Sequence, residues 1–222
     1  MLKSNQKFSN KYTTANGASR AFVNFIGLKT LWFNTGTLCN LTCKGCYIES
    51  SPTNDKLLYL SLKDVEHYIN EILINNKSCK TIGFTGGEPF MNKDIIEILE
   101  LCLVKGFDVL VLTNAMQPMQ NKINNLKKLS KFKKLKLRGS LDHFFMSEHE
   151  KIRGKNTWNK ALRGIELLIN NNFNLNIASR ILYNDEQLIR DGFAKLFKLH
   201  NFKMNANDPN DLVLFPEMDS KF

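Results

Sequence analysis

Short apolar or β-branched runs alternate along this chain with longer stretches in which apolar residues recur every three to four positions. The first pattern predicts strands and the second predicts amphipathic helices. Strands are expected over residues 30–36, 80–85, 107–112, 134–140, 173–179 and 211–215. Helices are expected over 61–75, from 92 or 93 to 105, and over 118–131, 157–171 and 185–199. Ser61 is placed to cap its helix, with Asp64 and Glu66 in the first turn, and Gly106 stops the second helix. In the fourth helix Leu162, Ile165, Leu168 and Ile169 fall on one face.

That order makes six βα-type units, the last without a clear helix. Such units give an α/β fold with a parallel sheet and right-handed crossovers. Periodicity alone allows either a partial barrel or a doubly wound open sheet. In both, the loops after the strands gather on one rim, where sites form. Residues 1–27 carry no strong pattern and are expected to be an N-terminal extension to a core domain over 28–222.

The 222 residues are 43% hydrophobic and 23% charged, which suits one globular domain with a real core. No run approaches the roughly 18 apolar residues of a membrane span. The polar residues 1–20 do not resemble a signal peptide, so a cytoplasmic address is expected. The formal net charge of +10 allows a polyanionic partner, but the excess is lysine spread along the chain. Its densest run, 127–136, is expected to be a solvated face at a helix end.

Three of the five cysteines, Cys39, Cys43 and Cys46, fall within eight residues as C-x3-C-x2-C. A tight cluster in a cytosolic chain points to metal rather than to disulfides. Thiolates are the ligands of iron–sulfur clusters, and three of them leave one iron of a cubane open. The competing reading is a zinc site, which needs a fourth ligand that the nearby sequence does not offer. Cys79 and Cys102 stand alone and are expected to be buried.

One unit further on, after the second predicted strand, stands Thr85-Gly86-Gly87-Glu88-Pro89. Together with the cysteine loop and the Tyr47 that follows it, this segment resembles the radical S-adenosylmethionine (SAM) superfamily. One departure is Gly45, where many members carry an aromatic residue. The resemblance runs from Thr30 to about Asp219 and implies a partial (β/α)6 barrel, with the stop after strand six read as a naturally short chain, a truncated product or a fragment. It implies a [4Fe–4S] cluster on Cys39, Cys43 and Cys46 whose open iron is chelated by SAM. It also implies reductive cleavage of SAM to a 5′-deoxyadenosyl radical that takes hydrogen from a substrate. An electron donor such as a flavodoxin or ferredoxin follows from that chemistry.

Further site residues rest on the same resemblance. Gly86, Gly87 and Glu88 would hold the SAM ammonium, and Tyr47 belongs to the cofactor loop. Asn114 after strand three would be a polar contact, or an ordinary turn residue. Ser140, in Ser140-Leu141-Asp142, would lie near the SAM carboxylate or ribose. Arg153, in Arg153-Gly154, would fork onto that carboxylate, or would sit solvent-facing at a helix start. His143 and His149 are expected on the polar rim, with Arg180, Glu217 and Asp219 as candidate substrate contacts. The Ser-Leu-Asp and Arg-Gly pair suggests a peptide or protein substrate, whereas only the charge suggests RNA. A non-catalytic iron–sulfur module is the alternative from another class.

Overall fold

The computed structural model describes residues 8–75, 78–181 and 185–216. Six strands form one sheet: β1 (Thr30–Asn34), β2 (Thr81–Thr85), β3 (Asp108–Thr113), β4 (Leu135–Ser140), β5 (Asn174–Ile181) and β6 (Leu212–Pro216). Every neighbouring pair is parallel, and the spatial order is the chain order. A doubly wound sheet would reverse its order at a switch point. This sheet does not, and β1 and β6 remain its two edges, so it is the partial barrel.

Alternation along each strand divides the side chains into two sets. Ile82 and Phe84, Val109 and Val111, Leu135 and Leu137, and Ile177 and Leu212 are buried on the outer face under the helices. The opposite, inner face carries Trp32, Thr85, Leu112, Arg138, Ser140 and Arg180. Trp32 lies on Gly83 of the neighbouring strand, where a Cβ would meet its ring at 2.4 Å. Each strand therefore has one face that stabilises the fold and one that is free for chemistry.

The helices are α1 (Leu62–Asn75), α2 (Ile95–Val104), α3 (Gln117–Asn121), α4 (Ile123–Leu126), α5 (Met146–Arg153), α6 (Trp158–Asn170) and α7 (Glu186–Leu199). Ser61 and Asp64 cap α1 reciprocally: the Asp64 amide donates to Ser61 Oγ at 3.2 Å, and the Ser61 amide donates to Asp64 Oδ2 at 3.0 Å. Leu162, Ile165 and Leu168 of α6 are buried, with Ile169 packed beside them. Cys79 and Cys102 are buried as expected.

Two expectations need correction. The single helix expected over 118–131 is broken into α3, α4 and a 3-10 turn at Lys127–Leu129. The Lys122 amide bonds back to Met119 and closes α3 after one turn, in a stretch rich in Asn, a residue that competes for backbone partners. α5 was not expected at all. Its only buried residue is His149, so it carries no apolar stripe to read. The lysines of 127–136 are exposed or half-buried, and Lys134 Nζ donates to the Gly106 carbonyl just past α2. Glu217 and Asp219 lie outside the described residues.

α6 approaches the loop after β3 so closely that a Cβ on Gly164 would stand 1.6 Å from the Ala115 carbonyl oxygen. Gly164→Ala is therefore expected to destabilise the fold by about 1–3 kcal/mol or more. Denaturant unfolding checks this, and a variant as stable as the wild type would show that the two backbones separate freely.

Candidate functional site

The chemistry-bearing residues meet at the C-terminal ends of the strands, around a cavity of about 210 Å³. Cys39, Cys43, Cys46, Tyr47, Gly86, Gly87, Asn114, Ser140, Arg153 and Arg180 all line it. Glu88 does not.

The cysteine loop is fixed from three sides. Its entry is clasped by the turn after β2: the Gly87 amide donates to Gly36 O at 2.8 Å, and the Glu88 amide donates to Leu38 O at 3.2 Å. A Cβ on Gly87 would stand 2.0 Å from Leu38 O, and Gly86 holds φ +134. The glycines thus let one backbone lie against another, beyond the ligand approach expected of them. The Cys39 amide donates to Ser51 O at 3.0 Å and closes the loop on itself. The Lys44 amide donates to Ile152 O at 2.8 Å and ties the loop to the end of α5.

Cys39 is buried, while Cys43 and Cys46 are half-buried. Burial pushes the Cys39 thiol up to about 12 and raises Cys43 as well, with the Arg153 charge opposing the shift at both. Cys39 and Cys43 are therefore protonated near neutrality, and ligation must release those protons. Among the described residues, no three His, Cys, Asp or Glu side chains converge closely enough to hold a single metal ion. A zinc ion requires that convergence, since its thiolates sit about 2.3 Å from one centre. A cubane spreads three thiolates over three irons, so three spaced thiols around one cavity fit it as a donor set.

Glu88 is 1% exposed and turned into the protein. Its Oε1 accepts from Thr113 Oγ1 at 2.8 Å and from the Phe90 amide at 3.2 Å, and its Oε2 accepts from the Asn114 amide at 2.8 Å. Burial raises its pKa to about 7 despite these donors. The carboxylate expected to face the SAM ammonium instead joins the turn after β2 to the end of β3. Asn114 is no ordinary turn residue. Its Nδ2 donates to Asn40 Oδ1 at 2.9 Å, inside the cysteine loop, and its Oδ1 accepts from the Met116 amide at 2.9 Å.

Arg153 ends α5 with its side chain only 13% exposed, contrary to a solvent-facing helix start. Its fork is already engaged: Nε donates to Asp142 Oδ2 at 2.7 Å, and Nη2 donates to Asp142 Oδ1 at 3.2 Å. Arg180 Nε lies 3.5 Å from the same carboxylate. Burial pushes Asp142 up, but Arg153 and then Arg180 outweigh it and hold the carboxyl below the usual range. Asp142 was the missed residue. Its position in Ser140-Leu141-Asp142 was visible, but nothing in the sequence paired it with Arg153. Arg180 lies within β5, not past it.

Neither histidine is a rim residue. His143 is 4% exposed, its Nδ1 accepts from the Phe145 amide at 2.9 Å, and its ring stacks on Phe144. His149 is fully buried, edge-on to Trp158, and neither ring nitrogen has a partner among the described residues. Both face inward because the Phe144, Phe145 and Trp158 rings pack around them.

A profile of the radical SAM superfamily matches residues 33–190. The chain belongs to that superfamily. It is 29% identical over 183 residues to the antilisterial bacteriocin subtilosin biosynthesis protein AlbA of Bacillus subtilis (strain 168), covering 79% of this chain and 39% of that protein. It is 33% identical over 79 residues to the putative peptide biosynthesis protein YydG of the same organism, covering 32% of this chain and 23% of that one. The chain thus spans well under half the length of these relatives. Among solved structures, Streptococcus suis SuiB bound to S-adenosylmethionine superposes with a TM-score of 0.69 at 14% identity, over 88% of this chain and 42% of SuiB. The anSMEcpe structure with bound AdoMet gives a TM-score of 0.66 at 22% identity, over 88% of this chain and 53% of that one. These likenesses establish the shared radical SAM fold. No helix among the described residues is long and apolar enough to cross a membrane.

Two measurements test the site's construction. Gly87→Ala must push Leu38 away and displace Cys39, so it is expected to destabilise the protein and impair iron binding at the loop. Normal stability with full iron retention would show that the clasp is dispensable. For His149, burial and then the Arg153 charge push the pKa down to about 4. The folded ring stays neutral, while the unfolded ring takes a proton below about pH 6.5. Stability is therefore lost as pH falls through that window. His149→Phe removes both the orphaned nitrogens and this loss. With no partner for those nitrogens among the described residues, it is expected to gain about 1 kcal/mol, more at about pH 5 than at about pH 8. Urea melts at the two pH values read the difference directly, and an equal or negative change would contradict it.

Proposed function

We propose that this chain is a catalytic radical SAM core, with 28–222 as the core domain and 1–27 as an N-terminal extension. Cys39, Cys43 and Cys46 hold a [4Fe–4S] cluster, and SAM lies in the adjoining cavity. The supporting observation is that three thiols, the Gly86–Gly87 turn, Ser140 and Arg153 share the walls of one cavity at the C-terminal ends of the strands. When bound, the cluster supplies the electron for reductive cleavage of SAM and so for hydrogen abstraction from a substrate.

The chain's own residues bind and orient. The backbone of Gly86 and Gly87 presents acceptors to the SAM ammonium, and Glu88 holds that turn against β3. Ser140 and the unspent edge of Arg153 meet the SAM carboxylate, a charge-assisted contact. Asp142 orients that guanidinium by occupying its other edge. Asn114 is a polar contact on the same wall, and Tyr47, which is 72% exposed, stands at the mouth.

A peptide is the favoured substrate. AlbA and YydG are named for bacteriocin and peptide biosynthesis, and SuiB has been solved bound to its precursor peptide SuiA. The reading also takes a flavodoxin- or ferredoxin-like electron donor, oxidoreductase chemistry and a cytoplasmic location. RNA remains the weaker substrate, since the densest lysine run is a solvated helix-to-strand connection.

The deciding experiment reconstitutes the protein anaerobically with iron and sulfide, adds SAM and dithionite, and looks for 5′-deoxyadenosine by mass spectrometry. Wild type is expected to form it and Cys43→Ala to form none. A cluster without product would instead identify a non-catalytic iron–sulfur module, and zinc binding with no cluster would sink the reading.

A further inference from the structure

The cysteine loop has a place without a side chain, and a guanidinium lies beside it. Gly45, between Cys43 and Cys46, holds φ +71. A Cβ there would stand 3.4 Å from Nη1 of Arg180. Arg180 reaches this point from the inner face of β5 and lines the wall that bears the three cysteines. Its backbone amide donates to the Asp142 carbonyl at 3.4 Å, and its Nε lies 3.5 Å from Asp142 Oδ1. Both oxygens of Asp142 are already bonded to Arg153. Two guanidinium groups thus share one carboxylate. Among the described residues, neither has a second acidic partner within 4.0 Å. One positive charge is left over, and it lies on the cysteine loop.

We propose that Arg180 tunes the reduction potential of the group held by Cys39, Cys43 and Cys46, raising it through this surplus charge. The inference rests on the reading above that the three thiols hold an iron–sulfur cluster. Reduction takes one electron from an external one-electron donor. It breaks no bond, and it leaves the site one unit more negative. A fixed cation nearby stabilises that product more than the reactant, and does so more strongly where water is thinned out. Arg suits this use because its charge does not titrate in the working range. Gly45 completes the arrangement: a side chain at that positive φ would be strained, and its Cβ would stand in van der Waals contact with Nη1. The residue that departs from the family pattern is the one the guanidinium lies against. Arg180 is a tuning residue, since its guanidinium lies against the cysteine loop.

The test uses the full chain, reconstituted anaerobically with iron and sulfide, as wild type, Arg180→Gln, Arg180→Lys and Asp142→Asn. Midpoint potentials are read by electron paramagnetic resonance during a mediated dithionite titration. Arg180→Gln is expected to weaken the reduction equilibrium about tenfold, a downward shift of about 59 mV for one electron. Arg180→Lys keeps the charge and is expected to stay nearer the wild type. Asp142→Asn removes the opposing charge and is expected to shift the potential upward. Opposite signs separate a charge effect from a loosened loop, which would move both variants the same way. If one of these variants fails to assemble a cluster, the sign of the other decides. Clusters of unchanged potential in Arg180→Gln overturn this inference and leave the proposed function standing. Loss of the cluster in all three variants overturns it too, because the charges would then be structural. No cluster in the wild type removes both readings together.

Discussion

The candidate site depends on two backbones touching. The turn after β2 lies against the entry to the cysteine loop, with Gly87 in contact with Leu38 and Gly86 at a positive φ beside Gly36. Any side chain at Gly87 would force the two apart, because the atom it meets is a carbonyl oxygen with no freedom to rotate away. The paired amides of Gly87 and Glu88 then bond the loop at two successive carbonyls. Cys39 follows directly from that clasp, and its burial is a consequence of it. The same contact sets the distance between the thiols and the wall of the cavity, since Gly86 and Gly87 form part of that wall.

Around this clasp the charges are arranged by burial. Glu88 is enclosed with three hydrogen-bond donors and, among the described residues, no paired cation, and it is driven toward its neutral form. Asp142 is enclosed with two guanidinium groups and is held as an anion. Two acids within one site thus take opposite protonation behaviour from their neighbours alone. Glu88 serves as a joint between strands. Asp142 orients the cations that face the cysteines. An unpaired buried cation would be costly, so the shared carboxylate is what lets Arg153 sit at the cavity wall with little exposure.

The strands and most helices were legible because period two and period 3.6 are written into the apolar positions. The rim location of the site followed from that order; the ten residues named for it came from the family resemblance, and nine of them line the cavity. What stayed hidden was anything without an apolar period or with a partner far off in sequence. α5 has one buried residue, so nothing marked it as a helix, yet it carries Arg153 and anchors Lys44. The Asp142–Arg153 fork joins residues eleven apart across a loop, and neither pattern nor composition pairs them. His143 and His149 looked like rim residues because they are polar. The aromatic rings that bury them come from Phe144, Phe145 and Trp158.

The parity of the strands explains why these particular residues meet. Ser140 is the last residue of β4 and pairs in register with Ala178 of β5, both facing inward. Two residues on along β5, the same parity brings Arg180 to the inner face one step nearer the rim. The chain leaves β4 two residues past Ser140 at Asp142, level with Arg180, as the Arg180 amide bonding to the Asp142 carbonyl records. A one-residue slip in the β4–β5 register would put Ser179 in place of Arg180 and turn the guanidinium into the helical layer. The outer face resists that slip, because Leu137, Ile177 and Leu212 are fully or almost fully buried and would have to leave the core with it. The apolar face of the sheet thus holds the register, and the register places the charge.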